Sequence, residues 1–387
     1  MSTDDPIEAA LAAAGLTGAR PGETVGGGPL TVSEAAEPDA GEAEPAPRWP
    51  DGAATGVGSM PGTDPLEAAT VVAGELPLLV PLPELPARGV GADMIGRTAG
   101  LLVDLAVELR PSGYRVTARP GREHRRAVDL LRTDLDAFDE ACDPVRPGWV
   151  KVQAAGPWTL AAAVELRTGH RVLTDHGAVR EFATSLTEGL REHVAEVASR
   201  TGAQVLLQLD EPSLPAVLAG SVPTPSGYGT VRSVAEPAAK DLLRDVVAAV
   251  GVPVVLHCCA DRPPLRLLAD VGAAAVGIDA TLPGVAGRTA ETAQLDAIGE
   301  TWDAGTPLML GLVPGTAPRG RVSDKALARP ALDLADRLGF DRHRLATLAV
   351  PTPTCGLAGA SPEWARRALA LTREIATLFG DPPDDEA

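Results

Sequence analysis

Apolar runs of five to seven residues recur along the chain at 55–59, 78–82, 150–155, 205–209, 252–258, 274–278, 308–313 and 346–350. Each ends in a turn rich in Gly or Pro, and the segment that follows repeats its apolar positions every three to four residues. The spacing predicts helices over 64–76, 237–250, 289–301, 324–338 and 362–378, with Ser361 as N-cap ahead of Pro362. The Ala-rich stretches 161–164 and 178–197 predict further helices packed closely on a sheet. Strands apolar on both faces that alternate with helices make a parallel sheet. Eight such units in about 330 residues predict an α/β fold, a single (β/α)8 barrel of the TIM type. A doubly wound sheet is the competing arrangement. Segments 114–118 and 121–141 fall between the second and third strands and read as an insertion.

Composition and charge separate the ends from this body. The chain has 387 residues, ample for a large core. Residues 1–48 combine Ala, Gly, Pro and acids with few aromatic or β-branched residues. Apart from a short helix over 7–14, they read as a disordered acidic tail. Residues 381–387 are a second loose acidic end, which leaves 49–380 for the barrel. The formal net charge is −18, and nine acids against Arg20 and Arg48 put −7 of it on 1–48. Another −4 lies on 381–387, so the body carries only −7. That balance argues against a protein that tracks nucleic acid by neutralising phosphates. No apolar run reaches a membrane-spanning length. The start shows no basic, apolar leader, and four cysteines are too few to staple so long a chain. The expectation is a cytoplasmic protein with reduced thiols, with Cys142 a buried apolar residue of a helix. Segment 110–126 holds six arginines and one acid, Glu123. It reads as a solvated insertion, with an anionic donor tail or an acidic partner as alternatives.

In a barrel of this kind the active site sits at the C-terminal ends of the strands. Those ends are Gly58-Ser59, Pro83-Glu84, Gly156-Pro157, Gln208-Leu209-Asp210-Glu211, His257-Cys258-Cys259, Asp279, Val313-Pro314 and Thr354-Cys355. His257 and Cys259 are two apart, so their side chains share a face and Cys258 points away. With Asp279 and Cys355 they offer an imidazole, two thiols and a carboxylate, a set that suits Zn2+. Singly, each has a structural explanation as a core or turn residue; three strands delivering such groups to one rim point to metal. Zinc beside thiols suggests thiol chemistry, because a metal deprotonates a coordinating thiol. Bringing a thiol pKa from about 8.5 to below 7 gains about 2 kcal/mol. Typical enzymatic acceleration needs about 8 kcal/mol or more, so orientation must supply much of the rest.

Four motifs carry a family resemblance. Val57-Gly58-Ser59-Met60-Pro61, Gln208-Leu209-Asp210-Glu211-Pro212, His257-Cys258-Cys259 and Thr352-Pro353-Thr354-Cys355-Gly356-Leu357 resemble the catalytic barrel of cobalamin-independent methionine synthases. The likeness spans about 50–380, in the right order, and corresponds to a short, single-barrel form. It implies His257, Cys259 and Cys355 as zinc ligands, with Asp279 where the family generally has a glutamate ligand. It implies homocysteine binding by Gly58, Ser59, Glu84 and Asp210. Glu84 would take the ammonium group, and Asp210 would also serve catalysis. The implied histidine proton donor has no counterpart near Gly315-Thr316, nor does the folate-contacting tryptophan near Ala163. The resemblance therefore implies methionine formation from homocysteine, with a methyl donor of the folate or methylcorrinoid type, the latter carried on a corrinoid protein.

Zinc-dependent alkyl transfer to another small thiol and a non-catalytic barrel with structural zinc are the competing functions. A metal-free decarboxylase barrel would not need the His-x-Cys pair and the late Cys. Gly56-Val57-Gly58-Ser59-Met60-Pro61 begins like a dinucleotide fingerprint but has proline where the third glycine belongs. His124, His170, His176, His193 and His343 stand in helix or loop contexts with no matching ligand set.

Overall fold

The computed structural model describes residues 48–285 and 291–383. The expected helix over 7–14, the tail over 1–47 and the last four residues lie outside them. Strand β1 is Val80–Pro81, and an antiparallel hairpin follows, β2 (Ala106–Arg110) with β3 (Gly113–Thr117). The remaining strands are β4 (Trp149–Ala155), β5 (Gln204–Asp210), β6 (Val254–Cys258), β7 (Ala275–Asp279), β8 (Leu308–Val313) and β9 (Ala349–Pro353). Seven of them form one parallel sheet in the order β1-β4-β5-β6-β7-β8-β9. The order never reverses, so the doubly wound arrangement is excluded.

The sheet closes through the segment where the first strand is expected. On one side Thr55 N–H donates to Pro351 O at 3.3 Å, and Ser59 O accepts from Leu357 N–H at 2.8 Å. On the other side Glu84 N–H donates to Gly58 O at 3.1 Å, and Met60 N–H to Glu84 O at 2.8 Å. Residues 53–59 thus occupy the eighth position of a (β/α)8 barrel as an extended bridge, with a single parallel bridge Ser59–Glu84 in place of a ladder. The expected strand 55–59 is corrected in this respect. The neighbouring strands contain Pro81, Pro351 and Pro353, which have no N–H to give to a ladder. Strand 346–350 is likewise displaced: Leu345–Leu348 is a helical turn and β9 starts at Ala349.

The helices follow the apolar periodicity, with the expected 289–301 found as Thr292–Asp303; positions 289 and 290 lie outside the described residues. Asp324–Leu338 has the expected bounds, and Pro65–Glu75, Glu236–Val250 and Pro362–Gly380 differ from expectation by one or two residues. Ser361 Oγ accepts from Trp364 N–H at 3.2 Å, the expected N-cap. The insertion is the β2–β3 hairpin and the helix Arg122–Cys142, which packs on Pro65–Glu75 and buries Cys142 at its last turn.

Side chains on the strands' inner face form layers. At the N-terminal end Trp49, Ala53, Leu79, Trp149, Leu206, Val255, Ala275, Met309 and Val350 make a closed apolar plug. Two residues further along β4 to β9 the layer turns polar or small, with Lys151, Gln208, His257, Gly277, Gly311 and Thr352. Outward-facing residues join the large apolar shell under the helices. Among the described residues no helix is long and apolar enough to cross a membrane.

Gly311 stands between the strands that carry Asp279 and Cys355. A Cβ there would lie 2.8 Å from Thr354 Cα, 3.1 Å from Ile278 O and 3.2 Å from Asp279 Cα. Those are backbone atoms, so the strands would have to part. Gly311→Ala is expected to cost about 1–3 kcal/mol, the usual range for overpacking, read from urea unfolding. Unchanged stability would show that the strands yield freely here.

Candidate active site

Parallel register builds the site. Asp210 and His257 are Cα partners on adjacent strands, so their side chains emerge side by side on the inner face. His257 Nδ1 lies 2.7 Å from Asp210 Oδ1. An ionised carboxylate can only accept, so Nδ1 carries the proton and Nε2 is left as the coordinating or accepting nitrogen. His257 in turn pairs with Gly277, where a Cβ would lie 3.0 Å from the ring's Cδ2; the missing side chain makes room for the imidazole.

Cys259 follows β6 and Cys355 follows β9, and their sulfurs are 3.8 Å apart at the exposed mouth. The two thiols share one hydrogen bond that either sulfur can donate; with Cys259 as the donor it pulls Cys355 down to about 6 and pushes Cys259 up. Cys258 faces the opposite way, fully buried, and burial lifts its thiol to about 12. Asp279 ends β7, but its Oδ1 accepts from Thr281 N–H at 2.9 Å and from Thr281 Oγ at 2.6 Å. Burial raises its pKa, and those two bonds oppose the rise.

Glu84 is buried, and its Oε1 lies 3.5 Å from Arg97 Nε. Desolvation lifts this carboxyl to about 7, with the Arg97 charge opposing. Gly58 has φ +154°, and a Cβ on it would sit 2.9 Å from the Gln153 side chain. The next residue, Ser59, presses its Oγ against Gly356, beside Cys355: a Cβ on Gly356 would fall 1.9 Å from that oxygen. The eight residues expected at the site therefore all stand at the C-terminal end of the barrel.

Glu211 does something else. Its carboxylate accepts from Trp158 N–H at 2.9 Å and from Thr159 N–H and Oγ at 2.8 Å, closing the start of helix Pro157–Ala163. Trp158 is buried with its Nε1 on Ala239 O. His193 lies buried in helix His176–Thr201, where desolvation holds it down to about 3. The residues missed by sequence reasoning are Lys151, Gln153 and Arg97. The first two were visible as polar residues at alternate positions of an otherwise apolar strand.

As placed, no group of three or more His, Cys, Asp or Glu side chains among the described residues converges tightly enough to hold a metal ion. The chemistry of the donors nevertheless fits zinc. Two thiolates at about 2.3 Å from a tetrahedral zinc stand about 3.8 Å apart. The carboxylate on Nδ1 is the usual partner of a metal-ligating histidine.

The model of the cobalamin-independent synthase catalytic domain matches residues 52–378. The chain belongs to that family. Membership supports a role in methyl transfer. A B12-independent methionine synthase from Shewanella sp. W3-18-1, solved with selenomethionine, shares the fold at 12% identity and a TM-score of 0.53. That alignment covers 85% of this chain and 97% of the other. A methyltransferase from Methanosarcina mazei aligns at 16% identity and a TM-score of 0.50, over 86% and 95% of the two chains. A search of curated proteins gave no match.

The thiol pair makes a direct expectation. In metal-free protein, alkylation of Cys355 by iodoacetamide should rise through pH about 6, since the thiolate is the nucleophile. In Cys259→Ala the donated hydrogen bond is gone, and the midpoint should move up toward the range of a free thiol. An unmoved midpoint, read by peptide mass spectrometry, would separate the two sulfurs.

Proposed function

We propose that this chain methylates the thiol of homocysteine to form methionine, with His257, Cys259 and Cys355 holding zinc. The observation that carries the reading is the pair of thiols 3.8 Å apart beside a histidine whose Nδ1 is taken by Asp210. Zinc, when bound, supplies a position at which a substrate sulfur is held as thiolate. The protein's own groups do the rest. Glu84 offers a carboxylate to the substrate ammonium, and Arg97 behind it favours the charged form. Gly58 and Ser59, bridged to Glu84, bring backbone and hydroxyl groups to the same wall. Asp210 holds the imidazole in one tautomer and adds negative charge where an ammonium group is to be received. Asp279, whose Oδ1 is already bonded to Thr281, is the candidate fourth ligand. The mouth then aligns the sulfur with a methyl donor of the folate or methylcorrinoid type.

Purified protein should bind about one equivalent of zinc and methylate homocysteine. Methyltetrahydrofolate, its polyglutamate form and methylcobalamin, assayed side by side, identify the donor. Cys355→Ser should abolish activity with each of them, and retained activity would remove Cys355 from the site. Glu84→Gln should raise KM for homocysteine by about 10–100-fold, the value of a charge-assisted hydrogen bond, with a smaller change in kcat. An unchanged KM would move the ammonium elsewhere. One equivalent of zinc whose coordination never responds to homocysteine would leave only the structural-zinc reading.

A further inference from the structure

Beneath the site lies a lysine that the proposed chemistry does not use. Lys151 has no exposed surface, although it stands in the middle of the barrel. Its Nζ lies 3.1 Å from Val57 O, 3.1 Å from Gln153 Oε1 and 2.8 Å from Gln208 Oε1. All three partners are carbonyl oxygens, which only accept. Three acceptors match the three donors of an ammonium group and leave no place for the lone pair of a neutral amine.

That match sets the direction of both glutamines. With Oε1 of Gln208 turned to the ammonium, its Nε2 must face the other way. There it donates to Val57 O at 2.9 Å and to Asp210 Oδ1 at 2.8 Å. Asp210 Oδ1 is the same atom that meets His257 Nδ1. Gln153, oriented likewise, donates Nε2 to Leu82 O, the carbonyl two residues before Glu84, and lies against Gly58. One buried cation thus fixes the direction of two amides. Gln208 ties down Val57, which leads into Gly58-Ser59, together with Asp210 and, through it, the His257 ring, while Gln153 ties down Leu82.

We propose that Lys151 is the positioning residue of this site: its ammonium group orients Gln208 and Gln153, so that Asp210 is held with its oxygen toward Nδ1 of His257 and the Gly58-Ser59 bridge is held in place. The proposal rests on the reading of His257 as a site residue and extends it one layer inward. Burial lowers the lysine to about 8, while the charges of Asp210 and Glu84 draw it back up, consistent with an ammonium that persists at neutral pH.

The test is Lys151→Met, which keeps the stem and removes the donors. Metal-free protein labelled with 15N-histidine reports which ring nitrogen of His257 carries the proton, with His257→Asn used for assignment. Wild type should show the Nδ1–H form. In Lys151→Met, folded by circular dichroism, His257 should shift toward a mixture of tautomers, and zinc affinity should fall about 10–100-fold, as for other outer partners of metal ligands. Gln208→Met keeps the lysine and cuts the same chain one step later, so it should give the same two changes. It decides the matter if Lys151→Met does not fold. A His257 spectrum and zinc affinity equal to wild type in a folded variant would overturn the proposal. The tautomer readout needs neither homocysteine nor zinc, so an enzyme inactive on homocysteine would defeat the proposed function while this test still reports on Lys151.

Discussion

Carboxylates taken out of water inside the barrel are what the rest of the site must answer to. Asp210 and Glu84 both lie buried at the C-terminal end of the barrel, and an unpaired buried ion costs several kcal/mol. Each has its own compensation. Glu84 lies against Arg97, which is itself bound to Asp134, a carboxylate shared with Arg88 at 2.7 Å. Asp210 accepts from Gln208 and His257, and Lys151 stands one hydrogen bond further away. The acids are therefore partnered and aimed from behind, although desolvation still dominates at Glu84.

Barrel closure follows a second constraint that joins the same residues. The bridge 53–59 has few ladder bonds because proline interrupts both neighbouring strands. It is tied down instead by side chains reaching across the barrel, Lys151 and Gln208 onto Val57 O. The segment that presents Gly58 and Ser59 is thus anchored by the network that orients Asp210. Glycine opens the other wall: Gly277 beside the His257 ring and Gly311 beside Asp279 leave space where any side chain would crowd the mouth.

Most of the fold was legible along the chain because the barrel strands are mainly apolar runs, broken by few polar residues, and the long helices repeat their apolar positions. The exceptions have local causes. Residues 55–59 look like a strand by composition, yet proline in their spatial neighbours denies them a ladder, and those neighbours are far away in sequence. Residues 346–348 are as apolar as the strand that follows, so periodicity cannot separate a helical turn from β9. The candidate site was legible as residue types at strand ends, since the topology sends every such end to one rim. The resemblance to the cobalamin-independent synthases, carried by four short motifs, agreed with the family match over 52–378.

The sequence alone determined that polar groups would gather at one end of a parallel barrel, that His257 and Cys259 would share a face, and that Cys258 would turn away. Those outcomes depend on period and order, which are local properties. The tertiary structure decided what cross-strand register and side-chain direction control. It set Asp210 opposite His257, brought Cys259 within 3.8 Å of Cys355 across 96 residues, turned Asp279 toward Thr281, and set Glu211 to closing a helix. It also turned Lys151, one polar residue in an apolar run, into the cation that three carbonyls surround. No pattern along one strand can state that, because its partners come from β5, from Gln153 on its own strand and from a bridge 94 residues away.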